Sequence, residues 1–377
     1  MDLASDREPG LVHAGREFGR RRLGKLPWGR NLSWSSLKYT TPVGTRTIRF
    51  RYDAQGRLLR LTGPAGLSDT THLTYNDESL LTQIGLPTGQ SQSFTYTPTH
   101  QPLTQMWGSF DVNAAFGRVW DYDGFGRVTE REVVKDRRRV YGYDTAGRLS
   151  SFTDSTYYDR QVCSDPNDPI TCVRETGWEF AQDTSYTYDR VGNRTDSDAR
   201  LYANSNRYRH FDADTLSYDL DGNLVSRSGP GIDQQLFWNA LGQLDSVATN
   251  GTKARYTYNG FGQRVQRVEG GATTISIYDG DDLLLEADGS NTVLSEYLHY
   301  PGIDLPHSVR SGGTTYFYAM EQPGHVIGLA SGTSTVAKRY RYTPWGEVEQ
   351  DSGSLNQPLR FMAREIDGAK KGCKCAR

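Results

Sequence analysis

Along much of this chain apolar and polar residues alternate singly for five or six positions, pause at a glycine, and resume. In "RYTYNGFGQRV" at 255 to 265, Tyr256 and Tyr258 fall on one face of an extended strand and Thr257 on the other, because side chains alternate across a strand. The same arrangement returns in "YGYDTAGRLS" at 141 to 150 and in "YTYDRVGNR" at 186 to 194. The pattern predicts short antiparallel strands joined in hairpins. No apolar run approaches the 18 or so residues of a membrane-crossing helix; pieces such as "DLLLEA" at 282 to 287 have strand length.

The punctuation is as regular as the strands. An aromatic residue is followed by Asp or Asn and, three positions further, by Gly in seven units: Tyr52, Asp53 and Gly56; Tyr122, Asp123 and Gly126; Tyr143, Asp144 and Gly147; Tyr188, Asp189 and Gly192; Tyr218, Asp219 and Gly222; Trp238, Asn239 and Gly242; Tyr258, Asn259 and Gly262. Weaker copies start at Tyr75, Tyr96 and Tyr278. Asp or Asn can accept a backbone N–H two residues on, and glycine can take the positive φ that closes a short hairpin loop. The residue after the glycine begins the return strand, and Leu58, Val128, Leu149 or Leu224 is expected to come back beneath the aromatic ring. Trp238, Tyr258 and Tyr278 are spaced by 20, the length of two strands and two turns. A lone hairpin is marginal in water, so these units have to stack on one another. The reading is an all-β fold of antiparallel hairpins forming a curved, partly open strip over residues 34–300, with an irregular excursion at about 153–183 where the anchors stand 45 apart.

Composition fits: of 377 residues 36% are hydrophobic, yet 23 are Tyr and 40 Gly. The net charge of -2 gives no field that would draw the chain onto nucleic acid or an anionic bilayer. The basic clusters Arg20–Arg22 with Lys25, and Arg137–Arg139, read as solvated faces. The first 33 residues form an irregular segment without the apolar centre of a signal peptide.

Candidate chemistry is sparse. "GRRRLGKL" at 19 to 26 has phosphate-loop spacing as far as Lys25, but Leu26 stands where Ser or Thr must reach magnesium. The carboxylates at Asp219 and Asp221, and at Asp279, Asp281 and Asp282, complete no calcium loop, and "SDPNDP" at 164 to 169 reads as a solvated loop. No HExxH or GxSxG occurs among scattered histidines, so no catalytic, cofactor or metal residue is assigned. Cys163 and Cys172 flank the turn-rich "CSDPNDPITC"; a local disulfide after export and two free thiols both fit. Trp107, Trp120, Trp178 and Trp238 could stack on sugar rings if exposed, or pack in the core.

"YDAQGR", "YDGFGR", "YDTAGR", "YDRVGNR" and "YDLDGN" resemble the YD repeats of bacterial RHS proteins and of the related shell in animal teneurins. "YFYAMEQPGHVIGLASGTSTVAKRYRYTPWGEV" at 316 to 348 and "PLRFMAREID" at 358 to 367 resemble the start of the RHS-associated core, giving a second region at 301–367. The resemblance implies a β-strip that spirals into a hollow, structural shell around a C-terminal toxin, exported from the cytoplasm by secretion machinery without a classical signal peptide. Family members continue into a tyrosine-rich, Asp-Pro-containing stretch where an aspartyl self-cleavage releases the toxin. Here 368–377 reads "GAKKGCKCAR", a divergent tail, so a truncated or frameshifted member is expected. The leading functional expectation is a non-catalytic wall segment whose partners are effector cargo and secretion machinery. The alternative is an extracellular or cell-surface carbohydrate-binding module.

Overall fold

Six of the seven aromatic–Asp/Asn–x–x–Gly units close a hairpin between two strands, and the one at Tyr188 closes a single bridge to Arg194 between the sheets; the glycine takes the positive φ that an L side chain resists, 79° at Gly126 and 80° at Gly262. The computed structural model describes residues 34–365 apart from 42–43, 65–68, 109–115, 164–171, 197–198, 332–334 and the single positions 204, 303 and 323. The basic cluster at 20–25, the phosphate-loop-like stretch, the N-terminal segment, "SDPNDP" and the divergent tail lie outside the described residues.

The strands, numbered β1 to β28 in chain order, form a 12-stranded sheet and a 16-stranded sheet in which every neighbour in space is a neighbour in sequence. The first sheet ends with β12 (Cys172–Ser185) and the second begins with β13 (Arg200–Leu201). Residue 300 marks no break in pairing, since β23 (Val293–His299) pairs with β24 (Pro306–Ser311) within the second sheet.

The segment at 153–183, expected as an irregular excursion, is instead the longest hairpin among the described residues. β11 (Leu149–Cys163) pairs with β12 as far as Cys163 opposite Cys172. Thr153, Thr156, Tyr157, Tyr158, Trp178 and Phe180 are strand-forming residues that sustain a ladder with no anchor motif inside it. The neighbouring β10 (Arg137–Tyr143) reaches only to Thr156, so among the described residues the outer part of this hairpin pairs with itself alone and projects as an arm.

Contacts between the sheets show how the strip is wound. Leu37 on β1 (Trp34–Thr41) packs near Leu284 and Leu285 on β22 (Asp282–Asp288). Arg46 on β2 (Gly44–Tyr52) pairs with Glu296 on β23 at 3.0 Å. Thr71 on β4 (Thr70–Tyr75) hydrogen-bonds His307 on β24 at 2.7 Å. Gln105 on β7 (Pro102–Trp107) donates to the Met320 carbonyl on β25 (Thr314–Glu321) at 2.7 Å. Arg139 on β10 reaches Tyr342, the last residue of β27 (Thr335–Tyr342), and Glu349 on β28 (Val348–Ser352). Both series rise together. A strip bent back like a hairpin would match early strands with late ones in reverse order; matching in the same order means the sheet coils in one sense, with β22–β28 alongside β1–β10.

Apolar residues seal this overlap. Ile84, Leu86, Trp107 and Phe116 pack with Phe317, Ala319, Ile327 and Ala330. The approach is close enough that a Cβ on Gly328 would lie 2.4 Å from the Phe116 ring and 2.3 Å from the Lys338 carbonyl. On the far side of the coil, Leu236, Leu244, Val247, Ala254 and Tyr256 form a separate cluster with Trp238 and Tyr258 against it. The segment after β28 lays Leu359 and Ala363 against Tyr318, Tyr340 and Tyr342, with a 3-10 turn at Phe361–Ala363.

Candidate functional site

The repeat units are both turn and staple. In the unit at 122, Asp123 Oδ1 accepts the N–H groups of Phe125 and Arg127, each at 2.9 Å, and Oδ2 accepts Arg127 Nε at 2.7 Å. Asp53 does the same with Gln55 and Arg57, and Asp144 with Ala146 and Arg148. Asp189 and Asp219 accept the side-chain amides of Asn193 and Asn223, whereas the side-chain amides of Asn239 and Asn259 donate to Gln243 and Gln263 Oε1. The Arg127 and Arg148 backbone N–H bonds hold the Asp123 and Asp144 carboxyls below the usual carboxylate range.

The aromatic residue ties each unit to the one before. Leu58, Val128, Leu149, Leu224 and Leu244 stand directly across from Tyr52, Tyr122, Tyr143, Tyr218 and Trp238. Their carbonyls then receive the next ring's donor: Tyr75 to Leu58 at 2.9 Å, Tyr143 to Val128 at 2.7 Å, Tyr188 to Leu149 at 2.6 Å, Trp238 Nε1 to Leu224 at 2.8 Å, and Tyr258 to Leu244 at 3.0 Å. Tyr122 bonds the Pro102 carbonyl at 2.6 Å. Burial raises the Tyr122 and Tyr143 phenols, which keeps them protonated as donors. Tyr52 opens the series against a core cluster that holds Ile48, Leu58, Leu61 and Leu73, and Tyr218 meets Tyr202 edge-on. The arginine after the glycine lies over the following ring, Arg57 over Tyr75, Arg127 over Tyr143 and Arg148 over Tyr188, and Arg207, which follows Asn206, lies likewise over Tyr218.

Between the coils lies a seam of charge. Glu321, 4% exposed, accepts Arg118 Nε at 2.6 Å and an Arg131 terminal nitrogen at 2.7 Å. Burial pushes its carboxyl up, but the Arg131 and Arg118 guanidiniums outweigh this and bring it down to about 2. Arg139, expected on a solvated face, is instead 1% exposed. It is held by Asp154, Glu349 and the Tyr342 carbonyl and stacks on Phe152. The reason is the winding, which lays β27 and β28 against β10. No local pattern betrays these ion pairs, since Arg118 and Glu321 stand 203 positions apart. A two-residue turn on the opposite rim carries its own sequence signal: Asn250 and Gly251 both take positive φ, as the Asn-Gly dipeptide favours.

A cavity of about 600 Å³ opens beside the seam, lined by Tyr75, Phe94, Tyr96, Trp120, Tyr318 and Met320 among others. Trp107 and Trp120 are 5% and 4% exposed, so neither offers a face to a sugar; Trp178 meets Tyr157 edge-on and Trp238 is in the ladder. Asp282, with Asp279 and Asp281 beside it in the turn between β21 (Ala272–Asp279) and β22, is pushed up to about 6, by burial first and then by its acidic neighbours. Among the described residues no group of three or more His, Cys, Asp or Glu is placed to hold a metal ion.

A coiled, barrel-free antiparallel strip whose turns are locked by Tyr-Asp-Gly units defines a YD-repeat shell protein. Residues 121–364 match the teneurin YD-shell family and residues 37–68 the RHS repeat, and the chain belongs to the teneurin YD-shell family. It is 29% identical over 184 residues to the tRNA3(Ser)-specific nuclease WapA of Bacillus spizizenii, covering 45% of this chain and 8% of that one. It is 23% identical over 388 residues to double-stranded DNA deaminase toxin A of Burkholderia cenocepacia, covering 85% and 27%. With Teneurin-4 of Mus musculus it shares 23% over 403 residues, covering 84% and 14%. The chain thus spans only a small part of the length of these relatives. Among solved structures, the Photorhabdus luminescens Tc holotoxin pore superposes with a TM-score of 0.57 at 16% identity, over 94% of this chain and 21% of that one. The TcdB2–TccC3 structure without its hypervariable C-terminal region gives 0.56 at 14%, over 93% and 21%. These likenesses show the fold.

Proposed function

We propose that this chain is a wall segment of an RHS-type polymorphic toxin, enclosing or presenting a C-terminal effector and exported with it, and that its own residues perform no catalysis. The observation that carries the reading is the same-order stacking of β22–β28 alongside β1–β10, because a sheet that coils in one sense bounds a space. The names of two relatives support it: one is a nuclease and one a deaminase toxin, each much longer than the part matched here. The seven aromatic–Asp/Asn–Gly units then serve as wall joints, and the tyrosine-lined cavity faces what the wall surrounds.

The test is to fuse a passenger polypeptide after Arg377 and follow its digestion by thermolysin, with the same passenger on an unrelated β-protein as reference. A wall segment lengthens the passenger's half-life several-fold while the strip stays intact. Equal digestion in both fusions with the strip intact overturns the proposal.

A further inference from the structure

A second cavity, of about 430 Å³, is bounded by the β21–β22 turn, the β23–β24 loop and the end of the segment after β28. Its charges do not balance. Arg264 is paired with Glu365 at 3.1 Å and Arg364 with Asp304 at 2.8 Å, whereas among the described residues no Arg or Lys pairs with Asp281 or Asp282, which line the same space. Carboxylates crowded in a turn are by themselves unremarkable; what distinguishes this place is the histidine packed against them.

His299 lines the cavity and is 9% exposed. Its Nε2 lies 2.8 Å from the Leu283 carbonyl oxygen, which can only accept, so Nε2 carries the ring proton and Nδ1 is left as a lone pair. That Nδ1 is buried without a hydrogen-bond partner. Asp282 Oδ1, 3.6 Å away, is an acceptor as well. Two acceptors thus face each other at the cavity wall with no donor between them, an arrangement that costs free energy until a donor is supplied. The motif turns show nothing comparable, since Asp123 and Asp144 there meet their own arginines. Whatever fills the gap has to be positively charged and has to bring more than one N–H to a single point. The remaining walls include Tyr258, Tyr278 and Leu283, which suit a short alkyl chain carrying that charge. A metal ion would need a third protein ligand, and among the described residues no such group of three is in place.

We propose that this cavity binds an alkyl ammonium group, its N–H bonds shared between the Asp282 carboxylate and His299 Nδ1 and its charge matched further by Asp281. A free diamine and a lysine side chain of a polypeptide present the same chemistry. The site is a property of this strip and holds whether or not the strip encloses an effector.

Nitrogen-15 spectra of the full chain labelled at its 7 histidines report on Nδ1 directly, with His299→Gln used only to assign the resonance. At low salt and about pH 8, cadaverine should shift the His299 Nδ1 signal and saturate it with a dissociation constant of roughly 0.1 to 1 mM, as befits so small a ligand. Tetramethylammonium, equally charged but without N–H, should bind at least about tenfold more weakly. Asp282→Asn should weaken cadaverine at least about tenfold with no fall in melting temperature, because it removes a charge crowded by Asp279, Asp304 and Asp281. Asp281→Asn, at an exposed position, should weaken it less. Affinity should be level above about pH 7 and drop by up to about tenfold per unit as pH falls through about 6, where the Asp282 carboxyl takes up a proton. Binding of Nα-acetyl-lysine amide alongside cadaverine assigns the site to polypeptide side chains, and binding of cadaverine alone assigns it to free amines. An Nδ1 signal unmoved by about 10 mM cadaverine, an Asp282→Asn variant that binds like its parent, or tetramethylammonium bound as tightly as cadaverine overturns the proposal. So does Zn²⁺ that moves the signal where neither amine does, which would assign the pair to a metal ion.

Discussion

At the scale of single residues, the wall rests on short bonds repeated many times. Tyr258→Phe removes the hydroxyl that caps the Leu244 carbonyl and keeps the ring. The expected loss is about 1 kcal/mol in urea unfolding, with no change in slope. Glu321→Gln should cost far more, roughly 3 to 5 kcal/mol at pH 7, because it leaves buried Arg118 without its counter-charge. The folded carboxyl is depressed from 4.5 to about 2, so the stability it contributes is complete above 4.5 and lost as pH falls towards 2. Denaturation profiles across that window should be flatter in the variant. The contrast also marks what sequence can reveal. Asp123 and Arg127 are partners four positions apart in a motif whose turn chemistry is local, so their pairing could be read directly. Glu321 and Arg118 meet only because the strip winds, and that distance is invisible to any local pattern.

At the scale of elements, motif hairpins can be placed from spacing alone, whereas the β11–β12 hairpin reads in sequence as an irregular excursion because it contains no anchor and is interrupted by the proline-containing "SDPNDP". Among the described residues its outer rungs join only each other. Replacing 157–178 by a two-residue Asn-Gly turn should therefore cost at most about 1 kcal/mol, measured by urea unfolding, and lower the strand signal in circular dichroism only by the arm's own share. The backbone register sets Cys163 opposite Cys172, while their side chains lie outside the described residues. Peptide mapping under non-reducing conditions, on protein recovered from an oxidising compartment, should find these two cysteines in one cross-linked fragment; finding both alkylated leaves the free-thiol alternative.

At the scale of the whole molecule, the coil is closed by contacts that include a histidine. His307 is 2% exposed and bonded to Thr71 of the other sheet and to Ser308. Burial, with His299 nearby, takes it from 6.5 to about 3. The unfolded chain thus binds a proton that the folded chain refuses, so stability is complete above 6.5 and falls as pH drops towards 3, by up to about 1.4 kcal/mol per pH unit from this group. Thermal midpoints at pH 7.5 and 5 should differ, and less so in His307→Gln. Hydrogen exchange at pH 5 should quicken first in β4 and β24, where the coils touch.

Because each described strand shares its backbone ladder only with the strands just before and just after it, the described ribbon holds no crossing that must be unthreaded. Tension on one end would peel it rung by rung at a nearly even force, with extra resistance wherever Arg139, Glu321 or His307 bridges to the adjacent lap. Such a polymer can be reeled out through a conduit far narrower than its wound diameter, and can rewind from whichever end emerges first.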